Sequence, residues 1–231
     1  MNEHPAAAAT SNDLDRARLA ARIDHTILRP EATTAEVLDA AAVAVSSGCA
    51  SVCVQPAMVA GVSGAVGDRI PVCAVVGFPH GASLSRTKAD EAAAAVAQGA
   101  SEIDVVADLG ALADGDLAAV AADVAAVREA APAVVLKVIL ESALWTPPVL
   151  RQACEVVVGA GADFVKTSTG FHPAGGATVA AVAVMCDAVG NRARVKASGG
   201  IRDIDAALAM LAAGADRLGL SATTAVLGGM V

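Results

Sequence analysis

A chain of 231 residues is long enough to bury one large core, and 55% hydrophobic against 17% charged residues excludes it from the disordered class. Aromatic residues make up only 2%, with no Tyr, Trp145 alone and three Phe, so no stacking platform for single-stranded nucleic acid can be built. A formal net charge of −8 excludes a basic surface that tracks phosphates, and no nucleic-acid partner is expected.

The mean hydropathy of +0.59 comes from Ala and Val in short runs. Glycines or charges break each run before the roughly 18–20 apolar residues that span a bilayer, so no membrane partner is expected either. Residues 1–12 are rich in Ala, Ser, Thr, Asn and Pro and read as a flexible tail, with residues 13–231 forming one domain. The N-terminus lacks the basic start and apolar stretch of a secretory signal. Five scattered cysteines (Cys49, Cys53, Cys73, Cys154, Cys186) read as reduced thiols and point to a cytoplasmic protein. Cys49 and Cys53 are four apart, but no second pair follows at zinc-site spacing, so no metal is expected.

Taken in chain order, β-branched runs occur at Ile23–Leu28, Ser51–Gln55, Val72–Phe78, Glu102–Asp108, Val134–Glu141, Asp163–Thr169, Arg194–Ser198 and Arg217–Leu220. Ala-rich stretches of helical period lie between them: Thr34–Ser47, Ser83–Gln98, Leu117–Ala130, Pro148–Gly159, Thr178–Val189 and Asp203–Ala213. Thr33, Ser83 and Asp203 are candidate N-caps, and Gly48, Gly99, Gly161 and Gly214 punctuate helix ends. Alternating strands and helices mean parallel units with right-handed crossovers. Eight such units predict an α/β fold, a single (β/α)8 TIM barrel. The rival, an open doubly wound sheet, wants a glycine-rich turn after its first strand, and the segment after Asp24 has none before Pro30.

Lysine usage is the sharpest chemical signal. Against twelve Arg stand four Lys, and three of them, Lys137, Lys166 and Lys196, are single charges inside apolar strands five, six and seven. Lys can give up its proton when crowded by another cation, whereas Arg effectively cannot. Snorkelling from strand ends would explain one such lysine, but helices cover the outer face of a barrel, so three in consecutive strands point inward. Converging ammonium groups repel, which favours a neutral amine, and a neutral amine attacks carbonyls. The chemistry implied is Schiff-base formation.

Asp104 on the fourth strand and Asp24 on the first are carboxylates in equally apolar settings. Each could relay protons beside an imine or simply pair with a lysine to fill the barrel. The last two strands run into Ser198-Gly199-Gly200-Ile201-Arg202 and Gly219-Leu220-Ser221-Ala222. Turns after strands seven and eight are the usual phosphate site of this barrel, so Gly199, Gly200, Gly219 and Ser221 are phosphate candidates, joined by Gly170 from strand six.

Several of these segments together carry a resemblance. Asp24-His25-Thr26, Val76-Gly77-Phe78-Pro79, Glu102-Ile103-Asp104-Val105-Val106, Leu136-Lys137-Val138-Ile139-Leu140-Glu141, Phe164-Val165-Lys166-Thr167-Ser168-Thr169-Gly170 and Lys196-Ala197-Ser198-Gly199-Gly200-Ile201-Arg202 resemble the deoxyribose-phosphate aldolase family in order. The resemblance implies a metal-free, cofactor-free class I aldolase that cleaves 2-deoxy-D-ribose 5-phosphate to D-glyceraldehyde 3-phosphate and acetaldehyde. It implies that Lys166 is the Schiff-base lysine, Lys196 the cation that favours its neutral form, and Asp104 the proton-relay acid. Asp24, Thr26, Cys53, Lys137 and Thr169 are then expected around the substrate. The partners implied are small phosphosugars and aldehydes; a homodimer stays open.

Three departures accompany the resemblance. Leu220 and Ala222 stand where the family has a small residue and a second serine, Asp108 stands where it often has Asn, and the Tyr that assists proton transfer in some members has no counterpart. Three other readings compete: a phosphosugar isomerase with His80 or His172 as base, a related Schiff-base aldolase preferring unphosphorylated aldehydes, and a binding barrel without turnover.

Overall fold

The computed structural model describes residues 15–230, so the expected tail at 1–12 lies outside the described residues. Eight strands form a closed, all-parallel barrel in sequence order. They are β1 (Ile23–Ile27), β2 (Ser51–Val54), β3 (Val72–Val76), β4 (Glu102–Val106), β5 (Val135–Ile139), β6 (Phe164–Lys166), β7 (Arg194–Ser198) and β8 (Arg217–Leu220), and β8 closes on β1. Among the described residues ten α-helices accompany them: α1 (Arg16–Ala20), α2 (Thr34–Ser47), α3 (Val59–Val66), α4 (Ser85–Ala97), α5 (Leu109–Ala113), α6 (Leu117–Ala130), α7 (Pro147–Gly159), α8 (Val179–Val189), α9 (Ile204–Ala212) and α10 (Thr223–Gly228).

Helix α2 starts with a full capping box. Thr33 accepts from the backbone N–H of Glu36, and Glu36 accepts from the backbone N–H of Thr33. A cap of this kind contributes about 1 kcal/mol. Asp203 caps α9 by accepting from the backbone N–H of Ala206, without a reciprocal bond. Ser83 does not cap α4; the N-cap is Leu84, with no side-chain bond. Helix α3, VAGVSGAV, has two glycines and no polar cap, so its local propensity is poor. It forms because Val59, Val62 and Val66 are buried against the barrel, a case of packing overriding propensity.

Strand alternation sorts side chains into two layers. Val52, Val54, Val72, Ala74, Ile103, Val105, Leu136, Val138, Val165 and Val195 face outward and join the helices in the main core. The inward set follows the register. Cys53 is paired with Cys73, Asp104 with Lys137, and Lys166 with Lys196. The interior is therefore divided. On one side Leu28, Cys53, Cys73 and Val75 form a small apolar cluster with Phe78 packed against it. On the other side stand the charges, with Phe164 near the strand starts beneath the guanidinium groups of Arg194 and Arg217, 4.1 and 5.6 Å from its centroid.

Candidate active site

Lys166 ends β6 and is only 2% exposed, at the edge of a cleft of about 430 Å³. Its Nζ donates to Asp104 Oδ2 at 2.8 Å. Lys196 donates to that same oxygen at 2.7 Å and also to Asp24 Oδ2. Lys137 donates to Asp104 Oδ1 at 2.8 Å, pairs with Glu102 at 2.6 Å and lies 3.3 Å from Cys73 Sγ. Arg217 pairs with Asp24 Oδ1 at 2.6 Å. One carboxylate thus receives three ammonium groups from three adjacent strands.

Burial by itself would raise the carboxyl of Asp104, but Lys137, Lys166 and Lys196 outweigh it and hold the group well below the usual carboxylate range. Asp24 is likewise lowered, its desolvation overcome by Lys196, Lys137 and Arg217. Burial disfavours the charges of Lys137 and Lys196, yet Asp104 and Asp24 keep both firmly protonated. Lys196 is accordingly a permanent cation one strand from Lys166. Two lysines converge, as the strand spacing predicts, with the addition that Asp104 bridges them and offsets their repulsion. The fourth lysine, Lys88, is also buried and binds Asp123 at 2.7 Å and the Val106 carbonyl at 2.9 Å, tying α4 to α6 and β4 outside the barrel interior.

The cleft opens at the strand C-termini. Of the expected residues, Thr26, Lys166, Thr169, Gly170, Gly199, Gly200, Gly219 and Ser221 line it. Asp24, Cys53, Asp104, Lys137 and Lys196 are fully buried below its surface. Gly170, Gly176 and Gly199 bring two loops into backbone contact: a Cβ on Gly176 would lie 2.2 Å from the Gly199 carbonyl oxygen. Gly219 is tight against Lys196, whose Cε is 3.0 Å from where its Cβ would stand. Ser221 is exposed, and α10 begins two residues later behind Ala222, which makes no side-chain cap.

Sequence reasoning missed several participants. Glu102 shares the inward face with Asp104 because the two are two residues apart on one strand, a spacing that could have revealed it. Arg217 and Cys73 gave no such signal. His25, buried on β1, meets the Thr223 hydroxyl at 2.7 Å and ties the first strand to α10. Glu141 has a φ of 52° and is buried; its carboxylate accepts from the Thr169 hydroxyl at 2.6 Å, which fixes Thr169 in the cleft wall. His80 and His172 border a different cleft, with Leu109, Leu144 and Trp145, and neither lines the Lys166 cleft. The isomerase reading is therefore not favoured.

Among the described residues, Cys53, Cys73 and Asp104 form the one group whose ligand atoms, all within 4.8 Å of one another, could hold a metal ion. Lys137 already occupies that space, with its ammonium bonded to Asp104 and against Cys73. A second cation would meet a like charge there, so the donor set fits a metal poorly. Cys53 thus neighbours Cys73 on the next strand.

Residues 18–228 match the pattern of the DeoC/LacD family of aldolases. A deoxyribose-phosphate aldolase of Mycolicibacterium paratuberculosis is 57% identical over 220 residues, covering 93% of this chain and 98% of its own length. One from Mycobacterium tuberculosis is 56% identical over 219 residues, covering 93% and 97%. Among solved structures, the tetrameric deoxyribose phosphate aldolase of Aeropyrum pernix superposes with a TM-score of 0.86 at 34% identity, covering 93% of this chain and 91% of that one.

Proposed function

Because the chain belongs to the DeoC/LacD family of aldolases, we propose that Lys166 carries out its chemistry as a Schiff-base nucleophile on 2-deoxy-D-ribose 5-phosphate. The observation that carries this is the shared oxygen: Asp104 Oδ2 accepts from both Lys166 and Lys196 at the edge of a substrate-sized cleft. The free amine of Lys166 adds to the C1 aldehyde, and loss of water gives an imine. A base takes the proton of the C3 hydroxyl, the C2–C3 bond breaks, and its electron pair moves into the C1–C2 enamine. D-Glyceraldehyde 3-phosphate leaves; protonation at C2 and hydrolysis of the imine then release acetaldehyde and restore the lysine.

Asp104 suits the relay. It accepts from Lys166 at the cleft edge, and because its carboxyl is held well below the usual range it stays ionised between transfers, with Lys196 as its fixed cationic partner. Asp24 and Arg217 keep Lys196 charged and in place. Thr26 and Thr169 face the sugar, and Gly170, Gly199, Gly200, Gly219 and Ser221 face its phosphate through backbone N–H groups and one hydroxyl. Cys53 and Lys137 act from beneath, with Lys137 positioning Asp104.

Residues 13–231 work as one catalytic unit in this reading, and the cytoplasmic breakdown of deoxyribonucleotides is the setting that supplies such a substrate. The five cysteines are all free, as a reducing compartment would keep them. No described helix is long and apolar enough to cross a membrane. A homodimer is the assembly this reading expects, and light scattering tests it.

Incubation with acetaldehyde and borohydride, followed by peptide mapping, tests the assignment. The reduced adduct is expected on Lys166, and Lys166→Arg is expected to lose turnover because a guanidinium stays protonated. An adduct confined to Lys137 or Lys196 overturns it.

A further inference from the structure

The apolar half of the barrel interior holds two thiols that the aldol chemistry does not use as a pair. Cys53 and Cys73 are register partners on adjacent parallel strands, both fully buried. Neighbouring strands lie about 4.8 Å apart, inside the Cα separation that a disulfide bridges. The two Sγ atoms lie within 4.8 Å of each other, with no residue between them in the ladder. Cys73 Sγ donates to Asp104 Oδ1 at 3.1 Å, and the Lys137 ammonium stands 3.3 Å away. The Cys73 proton thus has an acceptor in place for the moment its sulfur forms a new bond.

We infer that Cys53 and Cys73 form an oxidation site for small hydroperoxides, closing a disulfide under the Schiff-base lysine. Cys53 thiolate attacks the peroxide oxygen; the O–O bond breaks, water or an alcohol leaves with a proton, and Cys53 becomes a sulfenic acid. Cys73 then attacks the Cys53 sulfur. Its proton passes by way of Asp104 to the departing hydroxide, which leaves as water. The two thiols lose two electrons in all and the peroxide gains them.

Access follows the substrate's route. Leu28 belongs both to the cluster around these thiols and to the wall of the Lys166 cleft, so the pair lies one side chain below the mouth. The order of acidity agrees: the pKa of Cys53 is lowered, whereas burial raises that of Cys73. Cys53 is therefore the attacking sulfur and Cys73 the resolving one. Closing the bond removes the Cys73 S–H from Asp104 and draws β2 toward β3, beside the carboxylate that holds Lys166. The functional consequence rests on the aldolase reading, but the crosslink itself does not.

The test treats the full chain with hydrogen peroxide and follows intact mass, thiol-mapped peptides and aldol cleavage together. The expected result is a mass lower by about 2 Da, a peptide linking Cys53 to Cys73, and turnover that falls with the linked fraction and returns with dithiothreitol. In Cys73→Ala the sulfenic acid has no resolving thiol, so inactivation is expected to become irreversible as Cys53 passes to the sulfinic acid. A crosslink mapping to Cys154 and Cys186, or stable oxygen adducts on Cys53 in the unaltered protein, overturns the site. Fully linked protein with undiminished turnover overturns its effect on the reaction. Reversible inactivation of Cys73→Ala equal to that of the parent overturns the pairing.

Discussion

Lys166 and Lys196 are paired across β6 and β7 and donate to one and the same oxygen, Asp104 Oδ2, at 2.8 and 2.7 Å. The nucleophile and its neighbouring cation thus compete for a single acceptor. When Lys166 turns to the substrate, Lys196 and Lys137 still compensate Asp104, so the carboxylate keeps partners throughout. Removing one member of such a buried set leaves an uncompensated charge, at a cost of about 3–5 kcal/mol.

Lys196→Leu is expected to lower turnover at pH 7 by about a hundredfold or more, because Asp104 and Asp24 lose their shared buried cation beside Lys166. Thermal melts run alongside separate this from misfolding. A folded variant whose pH–rate profile matches the parent's contradicts the electrostatic role.

Ala222 precedes α10 next to Ser221 in the cleft. A hydrogen bond to a charged group is worth roughly 1.5–3 kcal/mol, so Ala222→Ser is expected to lower KM for the phosphorylated sugar by about tenfold or more. Unphosphorylated deoxyribose should be nearly unaffected. Better helix capping would raise Tm alone, so kcat/KM for both sugars decides; equal gains for the two show that position 222 does not meet the phosphate.

At the rim of the fold, the backbone N–H of Thr33, Arg29 and the Thr33 hydroxyl lower the carboxyl of Glu36 from 4.5 to about 2. Its folded pKa lies below the unfolded one, so its contribution is fully present above about pH 4.5 and is lost as pH falls toward 2. Glu36→Gln is expected to melt lower than the parent at pH 6 and to converge with it near pH 2. A difference in Tm that stays constant across that range contradicts the assignment.

The strand starts were legible to the residue at six positions from Ile23 to Arg217, because β-branched runs after glycine stops have few other ways to pack. Their ends were legible only in β7 and β8. The run expected to continue to Thr169 leaves the strand after Lys166, and the one expected to reach Glu141 leaves it after Ile139. Burial continues past the strand ends, at Leu140 and Glu141 and at Thr167, Ser168 and Thr169, so a run of buried residues does not mark where the strand stops. Helix α3 escaped notice because its glycines conceal a face that only the barrel wall makes apolar.

By itself the sequence determined the alternation of strands and helices, the inward lysines on three consecutive strands and the glycines of the cleft, since all of these follow from local period and residue chemistry. What only the tertiary structure decided is who meets whom. Asp104 sits at the centre of Lys137, Lys166 and Lys196, Arg217 closes on Asp24 across 193 residues, and Cys53 lies beside Cys73. Barrel closure and strand stagger set those meetings, and neither leaves a period in the sequence from which a partner can be read.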